Sequence, residues 1–70
     1  MTEYVVVYER AEDGGWGAYL PDVPGVVALG QSEAEVASGL REALTAYAEE
    51  IRSLGRDLPP AVALTGIVAA

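Results

Sequence analysis

Glu9, Glu12, Asp13 and Asp22 fall near the expected ends of strands, where paired carboxylates could hold a Mg²⁺ ion through oxygen ligands. Local chemistry gives most of them a simpler use. Glu12 and Asp13 lie in a turn, where acids are common, and Asp22, flanked by Pro21 and Pro24, is ordinary turn chemistry. Nucleophilic catalysis lacks its parts: Ser32, Ser38 and Ser53 have neither histidine nor lysine to activate them. Cysteine is absent, which excludes disulfides and thiolate metal sites. Gly14-Gly15-Trp16-Gly17 is not followed by a helix, so no helix N-terminus would receive a phosphate there. No catalytic, cofactor-binding or metal-ligating residue is therefore assigned. What remains is recognition. Trp16 reads as a core residue or an interface anchor, and beside a turn it can act as a binding hot spot. The candidate partner-binding set is Trp16, Tyr19 and Asp22 beside a proline-rich crossover, with Glu12 and Asp13 in the neighbouring turn.

Charge narrows the partner. Eleven acids against four arginines give a net charge of −7. Arg10, Arg41, Arg52 and Arg56 are scattered among acids, so direct nucleic-acid binding, which needs clustered positive charge, is not expected. An acidic balance suits a basic partner and equally keeps a small domain in solution. No apolar run approaches the roughly 18 residues that span a bilayer. The N-terminus lacks the basic-then-apolar pattern of a signal peptide, so a cytoplasmic protein is expected.

Seventy residues are read as one domain, residues 1–70. At this size only about 60% of the unfolded chain's surface is buried, so very good packing or self-association must help the core. Thr2–Arg10 reads as a first strand, with Tyr4, Val6 and Tyr8 on one face and Val5 and Val7 on the other. Both faces are apolar, which places this strand centrally or under cover on both sides. Asp13-Gly14 is a hairpin signal, and Trp16–Leu20 is the antiparallel second strand. Pro21-Asp22-Val23-Pro24-Gly25 makes a stiff crossover, since each proline fixes φ near −65° and Gly25 can take φ > 0. Val26–Leu29 is a short third strand.

Ser32-Glu33-Ala34-Glu35 fits a capping box, with Glu33 and Glu35 at the positive end of the helix dipole. Val36, Leu40, Ala43, Leu44, Tyr47, Ile51 and Leu54 then recur at helical spacing. Gly55 supplies the C-terminal stop and Pro59-Pro60 prevents resumption, so one helix is expected from Glu33 to Leu54. Gly39 inside it would permit close approach to the sheet. The apolar tail, with Val62, Thr65, Ile67 and Val68, reads as a fourth strand starting near Val62 and lying at an edge. The expected fold is thus α+β: an antiparallel three-stranded sheet plus a fourth strand, with one long helix on one face, in the order β-β-β-α-β. One helix covers one face only. The other keeps Tyr4 and Tyr8 or Val5 and Val7 exposed, which implies a homo-oligomer, a dimer or higher.

The chain resembles the HicB-like antitoxins. The likeness runs from Tyr4 and the valines after it through Asp13-Gly14-Gly15-Trp16, Ala18 and Pro21-Asp22-Val23-Pro24-Gly25. It continues in Gly30-Gln31-Ser32, where the family commonly has Gly-acid-Thr, in Glu35, Ala43, Leu44 and Tyr47, and in Gly55 and Leu58-Pro59. Val26 stands where many members have cysteine, a conservative change in keeping with packing. The resemblance implies a partly degraded ribonuclease H-like fold and a partner, the small basic HicA-type toxin that cleaves messenger RNA. Neutralisation would proceed by steric and electrostatic masking, without enzymatic activity. Family members often carry a C-terminal DNA-binding domain that represses their own operon; for a chain stopping at Ala70 such autorepression is not expected. Two other readings remain open: a solitary homo-oligomeric HicB-like protein of unknown ligand, and a residual Mg²⁺-dependent nuclease.

Overall fold

The computed structural model describes residues 2–70. Three strands, β1 (Val7–Arg10), β2 (Trp16–Tyr19) and β3 (Val27–Gly30), precede one helix, α1 (Glu33–Ser53). The strands form an antiparallel meander in the order β1-β2-β3. The α+β class agrees with the sequence reading, but β1 is an edge strand and not the central one. It is also shorter than expected. Register pairs Val7 with Tyr19, so two steps back Val5 would oppose Pro21, which has no N–H to offer a ladder.

Turn chemistry sets the register. The Ala11 N–H donates to the Gly15 carbonyl (2.8 Å) and the Gly14 N–H to the Ala11 carbonyl (3.0 Å). Gly14 sits at φ 90°, and the Gly15 N–H donates to Asp13 Oδ1 (2.9 Å). Between β2 and β3 the chain makes two successive β-turns. The Val23 N–H reaches the Leu20 carbonyl (3.1 Å), and the Val26 N–H reaches the Val23 carbonyl (3.3 Å). The second turn is type II, with Pro24 at its first central position and Gly25, at φ 93°, at its second. Prolines thus stiffen a loop that also feeds the core. Leu20, Val23 and Val26 are all buried, Val23 completely.

The helix begins as the sequence predicts. The Glu35 N–H donates to Ser32 Oγ (3.1 Å), and the Glu35 carboxylate folds back to accept from the Gln31 N–H (3.3 Å), one residue before the cap itself. A Cβ at Gly30 would meet that folded-back side chain at 3.0 Å. The helix ends in a Schellman motif: the Arg56 N–H donates to the Ile51 carbonyl (3.0 Å) and the Gly55 N–H to that of Arg52 (2.9 Å), with Gly55 at φ 74°. Leu54, counted in the apolar stripe, is the C-cap and lies exposed.

Val36 and Leu40 from α1 close over Ala18, Leu20, Val23 and Val26, with Tyr4, Val6, Trp16, Leu44 and Tyr47 around them. Complete burial of Val23 and of Val36 stabilises by about 1.5–3 kcal/mol each. The helix lies over β3 and β2. Gly39 faces Ala28 at the crossing, where a Cβ on Gly39 would lie 3.5 Å from the Ala28 Cβ.

The fourth strand does not form: among the described residues no strand follows α1. Asp22 supplies the physical reason. Its Oδ2 accepts from the Val62 N–H (3.0 Å) and the Ala63 N–H (2.9 Å), taking donors that a strand would give to a neighbour. The Tyr4 hydroxyl donates to the Pro59 carbonyl just upstream.

The two glycines of the helix region should respond oppositely to alanine. Gly39→Ala meets ordinary van der Waals contact at 3.5 Å and gains helix propensity, so urea unfolding should show about 0.5–1 kcal/mol of added stability. Gly55→Ala must hold φ 74°, so the same measurement should show a loss of about 1 kcal/mol.

Candidate protein-docking surface

Alternation along the strands divides the apolar residues between two faces. Tyr8, Ala18 and Ala28 align across the sheet on the helix side. Val7, Tyr19 and Val27 align on the other, beside the row Glu9, Gly17 and Leu29. No element covers this second face among the described residues. Tyr19 is 39% exposed, Val27 59% and Leu29 86%. Gly17 lies between Glu9 and Leu29, and a Cβ there would come within 3.3 Å of Leu29 Cδ2. The surface is broad, shallow and apolar, with Glu9 at its margin. Exposed apolar patches of this kind are characteristic of interaction surfaces.

The five residues singled out in the sequence do not converge. Trp16 and Tyr19 open and close β2, roughly 10 Å apart at about 3.3 Å per residue, and they point to opposite faces. Trp16 packs against the core from the helix side, with the Arg10 guanidinium 5.7 Å from its ring centroid. That cation–π contact is worth about 0.5–1 kcal/mol at an exposed site. Glu12 and Asp13 are exposed in the β1–β2 turn, at the far end of β2 from the crossover. Asp13 serves the turn through its bond to Gly15, and Asp22 serves the tail through Val62 and Ala63. Only Tyr19 belongs to the open face.

Val27 and Leu29 are the residues that sequence reasoning missed at this surface. Their signal was present: in Val27-Ala28-Leu29 the small residue faces the helix, so the two large ones must face away. The four carboxylates weighed as metal ligands do not gather, and among the described residues no three acidic side chains come close enough to hold an ion together. Among the same residues no helix is long and apolar enough to cross a membrane.

Comparison with known proteins gives this geometry a context. Residues 4–70 match the family described as HicB_like antitoxin of bacterial toxin-antitoxin system. UPF0150 protein ssl0738 of Synechocystis sp. is 34% identical over 59 residues, spanning 83% of this chain and 82% of that protein. Among solved structures, the N-terminal domain of Burkholderia pseudomallei antitoxin HicB superposes with a TM-score of 0.69 at 25% identity. That match covers 90% of this chain and 69% of the other.

Because Asp22 accepts from both N–H groups, Asp22→Ala should raise amide hydrogen exchange at Val62 and Ala63 at least tenfold. Core amides in β2 should keep their protection, as read by two-dimensional NMR.

Proposed function

This chain belongs to the HicB-like antitoxins of bacterial toxin–antitoxin systems, and on that premise we propose that it neutralises a small basic ribonuclease of the HicA type by masking it. The observation that carries this reading is the open face of the sheet, where Tyr19, Val27 and Leu29 stand exposed in one apolar surface. A ribonuclease that grips messenger RNA carries positive charge to meet the phosphates. A chain of net charge −7 attracts such a protein over distance and aligns it on approach. Burial of the apolar face then supplies the short-range hold. Likeness to the N-terminal domain of an antitoxin supports a role in binding and not in catalysis.

The same reading places the protein in the cytoplasm, where messenger RNA and the toxin meet, and takes the β-β-β-α frame as a reduced ribonuclease H-like fold. It includes self-association, because the protein leaves apolar surface uncovered.

The test is capture of the product of the neighbouring reading frame, with rescue of growth when that product is expressed. Leu29→Glu and Val27→Asp should each weaken capture at least tenfold and abolish rescue, with an unchanged far-UV spectrum because both side chains are exposed. Association should slow steeply as salt rises. A neighbouring product that is not retained, or rescue indifferent to both variants, would overturn the masking role. RNA incubated with the pure protein and Mg²⁺ should stay intact; cleavage abolished by Asp22→Ala would favour a metal nuclease instead.

A further inference from the structure

Beyond Ala63 the large apolar residues of the segment after the helix stand almost fully exposed. Leu64 is 94% exposed, Val68 95% and Ile67 100%. Residues 58–70 form the longest stretch without a charged side chain, and residues 61–70 hold no proline, so every one of them keeps a backbone donor. Val62, Thr65, Ile67 and Val68 favour extended backbone. The molecule as described is also elongated. The radius of gyration is 13.4 Å and the longest axis 42 Å, against a radius of about 11 Å expected for a compact chain of this length.

A matching acceptor lies on the same molecule. Because α1 packs over β3 and β2, the helix-facing side of β1 is left beside an open groove of about 190 Å³. Tyr8 of β1 and Tyr4 and Val6 just before it line one wall, and Leu40 and Leu44 line the other from the helix, with Arg41 the only charged side chain there among the described residues. The outer edge of β1 pairs with nothing among the described residues. An edge with free N–H and C=O groups above an apolar groove accepts an added strand.

The segment's own root leads it elsewhere. Pro59 is held at Tyr4, and Val62 and Ala63 are held at Asp22. Extending the β1–β2 register places Tyr4 opposite Asp22, so the chain crosses the end of the sheet from β1 toward the crossover and leaves its own β1 edge behind. The occupant is a second copy, because the uncharged arm and the edge and groove that fit it are carried by the same chain. Two copies of net charge −7 can meet closely only through neutral segments, and residues 58–70 form one.

We propose that the 62–70 segment is an arm exchanged between two copies of this chain, each arm adding to the free edge of β1 and seating its aliphatic side chains in the β1–α1 groove of the other. This rests on the reading that the chain self-associates, and it names the surface that does so. Asp22 and Tyr4 act as positioning residues that aim the arm, and the open face with Tyr19 and Leu29 stays free for a different partner.

Sedimentation equilibrium of the full chain, alongside a Leu64→Glu/Ile67→Glu double variant, tests the proposal. Both side chains are almost fully exposed in one protomer, so the variant should fold as the wild type does. The expected result is a wild-type dimer whose dissociation constant rises at least tenfold in the double variant, with Leu29→Glu leaving it unchanged. A second variant, Val6→Glu in the groove, should do the same if it folds. In wild-type dimers mixed from ¹⁵N-labelled and unlabelled chains, NMR should show contacts between the arm of one copy and Tyr8 of the other. A double variant that dimerises as tightly as the wild type would overturn the arm while leaving self-association standing. A monomeric wild type would overturn both, and so would an arm found folded into its own groove.

Discussion

One helix shields one side of a sheet. In this protein α1 spends its apolar stripe on β3 and β2, leaving apolar residues uncovered on the far face and on the flank of β1. The core that results is small: Ala18, Leu20, Val23, Val26, Val36 and Leu40, fringed by half-buried aromatics. A core of this size gains much from surfaces that other chains complete. Marginal burial and binding function are then two aspects of one arrangement.

The carboxylates show how structural work and net charge can be separated. Asp13, Asp22 and Glu35 each accept from backbone N–H groups, closing a turn, holding a tail root and capping a helix. Other acids, among them Glu42, Glu49 and Glu50 on the helix, stand exposed and set the long-range field. An acidic chain of this kind can be polar in its local chemistry and apolar at its contacts. Specific binding would then come from shape and burial, with charge setting the rate of encounter.

Much of the fold was legible in short-range signals. Ser32 and Glu35 announce the helix start, Gly55 its end, and Asp13-Gly14 the first hairpin, because each is fixed by chemistry within a few residues. The errors lie where distant groups decide. A strand at Val62 is a fair reading of β-branched residues, but Asp22, forty positions away, takes the N–H groups of Val62 and Ala63. Apolar residues on both faces of β1 pointed to a strand that is central or covered on both sides, and of these the central position is not the one it takes. The open face was half visible: parity along Val27-Ala28-Leu29 assigns it once Ala28 is known to face the helix. Trp16 and Tyr19 looked like one site because they are close in sequence; strand alternation separates them.

The meander has a consequence for how the protein comes into being. Every strand pairs with its immediate neighbour in the chain, and the helix returns at once onto the last two strands. Loop-closure entropy is therefore small at each step, and assembly from consecutive pieces is rapid. The side-chain ties that span 40 positions or more are Tyr4 to Pro59 and Asp22 to Val62 and Ala63. Those ties close the longest loops of the fold, so their closure costs the most chain entropy. The slowest contacts to close are thus the ones that hold the tail root against the sheet.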